Sequence, residues 1–283
     1  MIRPAARCAA PLLLLVDITP FAMPNGASAQ TVPRRGPPPI ASPISDRFYL
    51  RGIYHRGDVE TVVRLDPTAT QAGTVVSAEE DLGLDDVVDH GRMELGIRIK
   101  ERNRLRIDYF KLNRNGDARL TRQIVFGDDV YNVNDRVESV ADLRMLGFTY
   151  TRSWLRRERI ESGLGLGIHI VDTEGRGTVR ARNIREFGRA VAALPTLAAD
   201  LSWRFWRNFS LTARGQYFGV EIDDVDGSFG DYHLDVQYRW RPNLAVGLGY
   251  SIVDVSVVSA DVDDPGRFKL RTQGPQAFFR VSF

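Results

Sequence analysis

The side chains best suited to acid–base chemistry are one histidine and four carboxylates in a short stretch of the chain. His233 stands between Asp231 and Asp235, and Asp223 and Asp224 precede them by a few residues. A histidine beside carboxylates can position and activate a water molecule. The alternative for the same residues is a charged junction between a loop and a strand. We therefore keep a hydrolase site at His233, Asp231 and Asp224 as one hypothesis.

Few other residues could do covalent or metal chemistry. Cys8 is the single cysteine and lies in the predicted leader, so the mature chain would lack disulfides, cysteine zinc sites and thiol catalysis. The chain shows no phosphate-binding glycine loop and no histidine-rich metal spacing, so we predict neither a cofactor nor a metal site. A net charge of +2 without a basic stripe does not indicate a nucleic-acid partner.

A period of two along Arg92–Leu112 predicts an antiparallel β-hairpin. Apolar residues such as Met93 and Ile99 alternate with charged ones, and the polar segment Glu101–Asn103 separates the two arms. Successive side chains of a strand point to opposite faces, so one face of this hairpin is aliphatic and the other is charged.

The same alternation continues along the chain and predicts about ten strands, within a range of 8–12. Short turns are expected near Asn103, Arg157, Asn208 and Pro242. Longer connections are expected at Asn113–Asp117, Thr173–Ala193 and Glu221–Gly230. The first of these has an Asn–Gly step, which favours a turn, and leads into a polar stretch. No run reaches the roughly 20 apolar residues of a membrane-spanning helix. Short turns that alternate with long loops are typical of an all-β, antiparallel transmembrane β-barrel.

The same alternation fits a soluble, lipocalin-like barrel whose apolar face points inward. Three features favour instead an apolar face that points outward, to lipid, and the first is the asymmetry between short turns and long loops. Trp154, Trp206 and Trp240 lie beside the short turns, as an interfacial aromatic girdle would, although the register places Trp206 on the inward face. The polar face mixes charges with glycines such as those of Gly163–Gly167, which suits the interior of a narrow barrel.

The last eight residues, QAFFRVSF from Gln276 to Phe283, resemble the terminal strand of Gram-negative outer-membrane β-barrel proteins. Phe279, Val281 and Phe283 carry the pattern, which ends on an aromatic residue with apolar residues at every second position before it. Residues 79–86 and 124–131 resemble segments of uncharacterised outer-membrane proteins. The resemblance implies the outer membrane as the location, contact with its lipid and lipopolysaccharide, and assembly by the barrel-assembly machinery through this strand.

The N-terminal region has the features of an exported protein. Residues 1–29 are predicted to be a signal peptide, because Arg3 and Arg7 precede an apolar segment and Ala27–Ala29 forms a small-x-small cleavage site. Residues 30–45 are rich in proline and are expected to form an extended periplasmic lead-in outside the core. The barrel is then predicted to occupy residues 46–283.

The inward face is predicted to carry charges of both signs. These residues are Glu94, Arg98, Arg106, Asp108, Glu161, Asp200, Arg204, Arg214, Asp235 and Arg239. Opposite charges in a narrow lumen should pair, because an unpaired buried charge is costly. The lumen is then either plugged by ion pairs or, where the glycine row leaves space, a narrow pore. We expect a structural, adhesive or loop-binding role, with a narrow passive channel as the alternative.

Barrel enzymes are a further class to which the resemblance leads. Lipid-cleaving barrels place His and Ser on the lipid-facing side near a rim, whereas His169 and Ser162 fall on opposite faces here. Omptin-like proteases use Asp and His at the outer mouth, and His233 with its acidic neighbours is the nearest match. A non-catalytic role is favoured, and a surface hydrolase with its Asp/His site at the outer rim is kept as the second alternative. The acidic long loops are candidates for binding divalent cations at the cell surface.

Overall fold

Ten antiparallel strands pair in a ring, and the first strand pairs with the last. The computed structural model describes residues 41–66, 73–126, 129–179, 184–222, 225–259 and 265–283. Its strands are β1 Phe48–Leu65, β2 Val76–Ser77, β3 Val87–Ile99, β4 Asn103–Arg119, β5 Ile124–Phe126, β6 Asp129–Tyr131, β7 Arg136–Arg156, β8 Ile160–Val179, β9 Ile184–Trp203, β10 Phe209–Ile222, β11 Val225–Arg241, β12 Leu244–Ser259 and β13 Gly266–Ser282. The barrel contains all except β2, β5 and β6, which lie in connections. The prediction of a ten-stranded antiparallel barrel is confirmed.

Side-chain exposure shows that the apolar face points outward. Leu166 and Leu248 on the outer face are 64% and 70% exposed, whereas Glu161 and Asp108 on the inner face are 0% and 1% exposed. On β8 the outward apolar residues extend from Ile160 to Ile170, which is close to the roughly 9–11 residues that a tilted strand needs to cross a bilayer. No helix among the described residues is long and apolar enough to span a membrane.

All four tryptophans lie on the outer surface near the short turns. Trp154 and Trp240 each occupy a position where the strand register shifts, next to the β7–β8 turn and the β11–β12 turn. Trp206 is 71% exposed, so its predicted inward orientation is wrong. The reason is that β9 ends at Trp203 and Trp206 belongs to the turn, where strand alternation no longer applies.

Several predicted connections are in fact strand. Asn113–Asp117 lies inside β4 and pairs with β7, so the turn predicted there is wrong. Gly116 instead allows a loop to approach β4 closely, because a Cβ atom on this residue would lie 2.6 Å from the carbonyl oxygen of Leu82 in that loop. The connections predicted at Thr173–Ala193 and Glu221–Gly230 are also largely strand. The reason is that β8, β9, β10 and β11 continue beyond the band of outward apolar residues, here called the apolar belt.

The barrel therefore has a short-turn end and a long-loop end. At the long-loop end, residues from β2, β5 to β8 and the loops between them pack into a second cluster, the loop cluster, made of Val76, Leu120, Ile124, Tyr131, Val137 and Val179. The barrel wall extends further at this end along four strands, β4, β7, β8 and β9. Among the described residues, the first part of β9 pairs only with β8. An outward ion pair on this wall joins Arg189 to Asp172, at 2.9 Å.

The segment before β1 turns into the short-turn end of the barrel. Ser42, Pro43 and Ile44 are buried, so this part of the predicted lead-in packs against the barrel, contrary to the expectation that it stays outside the core. Arg104 donates a hydrogen bond of 3.4 Å to the carbonyl oxygen of Pro43. The predicted signal peptide, residues 1–29, and residues 30–40 of the lead-in lie outside the described residues.

Candidate functional site

The lumen next to the short turns is filled by two acids that each bind several donors. Glu161 accepts hydrogen bonds of 2.7 Å from both terminal nitrogens of Arg98 and one of 2.8 Å from Arg104. Asp46 accepts bonds of 3.0 and 2.6 Å from Arg239 and one of 2.8 Å from Arg280. Charge-assisted bonds with two donor nitrogens fix geometry as well as charge. This first layer of ion pairs therefore links the strands to one another across the lumen at the short-turn end.

A second layer lies one step further into the barrel. Arg51 contacts Asp235 at 2.8 Å and Glu94 at 3.9 Å, and Arg214 forms ion pairs with the same two acids. Tyr49 donates a hydrogen bond of 2.6 Å to Glu94. Each acid therefore has two cationic partners, which offsets the cost of removing the charges from water.

A third layer is centred on Arg92. Its Nη2 atom lies 2.6 Å from Asp108 Oδ2 and 2.7 Å from Asp231 Oδ2. His233 Nε2 lies 2.8 Å from the other oxygen of Asp231. These residues come from β3, β4 and β11, and β11 lies on the opposite side of the ring from β4. The layer therefore joins opposite walls of the barrel.

The remaining predicted lumen residues, Arg106, Asp200 and Arg204, are also buried. The row Gly163–Gly167 was expected to leave space for a narrow pore, but side chains lie close to Gly163 and Gly167. A Cβ atom on Gly163 would lie 3.2 Å from Asp200 Oδ1, and one on Gly167 would lie 2.5 Å from Thr196 Oγ1. The side chains of the neighbouring strand thus occupy the space above the glycines.

Above the third layer, toward the long-loop end, the inward side chains become apolar. We call this group the lumen cluster; it contains Val59, Phe110, Leu112, Leu143, Met145, Val171, Phe229, Val253, Val255 and Leu270, with Val88, Leu194, Phe218 and Phe268 packed against it. Its buried members come from seven of the ten barrel strands, and β3, β9 and β10 add only the partly buried Val88, Leu194 and Phe218. At this level the described lumen is therefore lined by apolar side chains that contact one another.

The hydrolase hypothesis placed His233 and Asp231 at the outer rim. The structure places both inside the lumen, 7% and 1% exposed, beneath Phe229 and the rest of the lumen cluster. Asp224 lies outside the described residues. Phe283, 76% exposed, ends the chain on the outer surface with the tryptophans.

Arg92, Arg51, Arg104, Arg280, Tyr49 and Asp46 are lumen residues that sequence reasoning did not include. Arg92, Arg51 and Arg104 stand on the charged face of predicted strands, so the same alternation already places them in the lumen. Asp46 precedes the first strand and has no such signal.

Two acidic residues of the long loops bind arginines of the same chain. Glu79 pairs with Arg114 and accepts a hydrogen bond of 2.9 Å from the backbone nitrogen of Thr61. Asp81 accepts a bond of 2.6 Å from Arg122 and one of 2.9 Å from the backbone nitrogen of Ser77. Burial raises the pKa of Asp81, but the bonds from Arg122 and Ser77 lower it more, so the pKa lies below its ordinary value of 3.8.

No protein-family model matches this chain, and no curated protein sequence matches it. Solved structures do match its fold. The outer membrane protease OmpT of Escherichia coli matches with a TM-score of 0.51 at 10% identity, over 83% of this chain and 97% of that chain. The translocator domain of the autotransporter NalP of Neisseria meningitidis matches with a TM-score of 0.41 at 9% identity, over 83% and 88%. The likeness to OmpT shows that this chain has the fold of Gram-negative outer-membrane β-barrels. The outward apolar belt is the surface that such a fold presents to the membrane.

Proposed function

We propose that this chain, an outer-membrane β-barrel by fold, is a non-conducting surface protein that uses its long-loop end for binding. The observation that carries the proposal is the filled lumen, in which three layers of ion pairs lie beneath a lumen cluster whose buried residues come from seven of the ten strands. A barrel closed in this way anchors its loops and does not form a pathway for solutes.

The lumen cluster argues most directly against the narrow channel. Ions and polar solutes need water or polar side chains along their whole path, because an unpaired charge is costly in an apolar medium. Phe110 and Phe229 are each 1% exposed, and they stand on opposite walls at the level of this cluster. Passage would require several large side chains to move together.

The long-loop end has the features of a stable binding platform. In the described parts of its first two connections, β2 pairs with β1 and the hairpin β5–β6 packs into the loop cluster. Arg114 and Arg122 clamp the first long loop through Glu79 and Asp81. A rigid surface loses less conformational entropy when it binds a partner than a flexible loop does.

Conductance in planar lipid bilayers tests the closed lumen. We expect the refolded barrel to insert without discrete openings, while a general porin measured in the same bilayers conducts. Regular openings of a single size would overturn the proposal and support the narrow-channel alternative.

Surface display is tested separately on intact cells. Protease added outside should cleave in the long loops, such as residues 66–86, and spare the short turns near Arg157 and Asn208. Cleavage at the short turns of intact cells would reverse the orientation and remove the long-loop end from the surface.

A further inference from the structure

The four histidines of the chain all face the lumen, between the ion-pair layers and the lumen cluster. The rings of His55 and His90 lie 4.5 Å apart, and that of His169 lies 4.8 Å from Phe229. His169 and His233 stand beside carboxylates, which brings the two kinds of ligand group used by many metal sites to one level of the barrel.

We propose that Asp108, His169 and Asp231 form a binding site for a divalent transition-metal ion such as Zn²⁺. Each residue offers one ligand atom, and the three atoms lie within 4.8 Å of one another. Small side-chain rotations bring such atoms to the usual Zn²⁺ bond lengths of about 2.0–2.2 Å. The ligands come from β4, β8 and β11, so the ion would connect opposite walls of the barrel.

Two of these ligands have buried atoms that no other group satisfies. Asp108 Oδ1 and His169 Nδ1 have no hydrogen-bond partner among the described residues, although the two side chains are almost fully buried. Buried polar atoms are nearly always paired, and an unpaired one calls for a water or an ion. A metal ion beside Gly147 would satisfy Asp108 Oδ1, and the histidine nitrogen nearest that position is Nε2, which also lies 3.4 Å from Gln216 Nε2.

Gly147 leaves the space that the site needs. It lies on β7 between Asp108 and His169 and pairs in register with both. A Cβ atom on this residue would lie 2.8 Å from Asp108 Oδ1 and 2.8 Å from His169 Nε2. The missing side chain therefore lets the carboxylate and the imidazole come together over the strand.

Arg92 and His233 hold the carboxylates in place from outside the proposed site. Arg92 binds Asp108 through Oδ2, which leaves Oδ1 free. Arg92 also donates to both oxygens of Asp231, at 3.2 and 2.7 Å, and His233 Nε2 lies 2.8 Å from Asp231 Oδ1. Partners of this kind fix the orientation of ligands in metal sites. Two carboxylates and one guanidinium leave one negative charge, which favours a cation. A mixed nitrogen and oxygen ligand set suits Zn²⁺, Co²⁺ or Cu²⁺, whereas Ca²⁺ takes oxygen ligands alone.

The test is metal binding by the full barrel, refolded from urea without a histidine tag after treatment with chelator. Zn²⁺ or Co²⁺ is added during refolding, and the bound metal is counted after dialysis. We expect one ion per chain, and Co²⁺ absorption bands in the visible range. His169→Gln and Asp108→Asn should each weaken binding at least tenfold, and Gly147→Ala should weaken it although no ligand is lost. His90→Gln is the control and should bind as the parent does.

Folding of each variant is checked by heat-modifiable gel mobility. Should a ligand variant fail to refold, Cu²⁺ bound to the parent still reports the site, because its electron paramagnetic resonance spectrum should show nitrogen coupling from one imidazole. A parent that retains no ion after dialysis, a Cu²⁺ spectrum without nitrogen coupling, or an equal loss in His90→Gln would overturn the proposal.

Discussion

Arg98 and Glu161 are joined by two hydrogen bonds of 2.7 Å between strands that are not neighbours in the barrel. Both side chains are almost fully buried. Their strands, β3 and β8, are separated by β4 and β7, so the pair links two parts of the wall across the lumen. Its loss would leave arginines without their shared acceptor inside the barrel.

We expect Glu161→Ala to lower the free energy of unfolding by about 3–5 kcal/mol, the usual cost of removing one partner of a buried ion pair. The measurement is the urea midpoint of tryptophan fluorescence, supported by the temperature at which gel mobility changes. Glu101→Ala is the control, because that side chain is 90% exposed and its removal should cost no more than about 0.5 kcal/mol. Equal effects of the two variants would show that Glu161 does not hold the wall.

The lumen cluster predicts a way to open the barrel. The double variant Phe110→Ala and Phe229→Ala removes two large side chains from opposite walls, and each change should cost about 3–5 kcal/mol of stability. We expect this variant to show discrete conductance in planar bilayers, while the parent shows none. Leu248→Ala, on the outer face at 70% exposure, is the control and should remain closed. A double variant that folds and stays closed would mean that the ion-pair layers alone seal the lumen.

The outward tryptophans predict a particular quenching pattern. In vesicles of lipids brominated near the headgroup, the fluorescence of the barrel should be strongly reduced, because all four tryptophans are exposed on the outer surface near the short turns. Bromine near the middle of the bilayer should quench less. Efficient quenching by aqueous acrylamide together with none by brominated lipid would place these residues in water and contradict an apolar outer face.

The ion pair of Asp81 with Arg122 predicts that the first long loop loosens in acid. The folded pKa of Asp81 is depressed, so its stabilising contribution is complete above the unfolded value of 3.8 and is lost as the pH falls through the lower folded value. Hydrogen exchange at the backbone nitrogen of Ser77, which binds Asp81, reports this change.

Asp81→Asn is the reference for that measurement. Above pH 5 the Ser77 amide of the parent should exchange more slowly than that of the variant, and the two should converge below the folded pKa of Asp81. A constant difference at all pH values would show that the carboxylate charge plays no part in holding the loop.

The ten strands and the outward apolar face were predictable because alternation persists through every membrane-crossing segment. Residues such as Leu166 and Glu161 carry that signal locally, without reference to any other strand. The prediction of a turn at Asn113–Asp117 was wrong because it relied on the local sequence alone. An Asn–Gly step favours a turn, but here Gly116 is needed for the close approach of the loop that contains Leu82, a contact that depends on the folded long loop.

The lumen cluster and the pairing of the charges could not be predicted in the same way. Each strand contributes one or two apolar residues where charges would be expected, such as Phe110 two positions after Asp108. Their common level becomes visible only when the registers of ten strands are known. The partners Arg92 and Asp231 are likewise 139 positions apart, and only closure of the ring brings them together.

The Asp46 carboxylate, just before the first strand of the barrel, is bound by side chains from strands near the end of the chain. This carboxylate precedes β1, and the side chains that bind it, Arg239, Arg280 and Ser282, belong to β11 and β13. A chain whose last strand has not docked offers Asp46 only part of this pocket, and the burial of its charge would then be costly. The Asp46 carboxylate therefore has its full set of partners only in the closed ring.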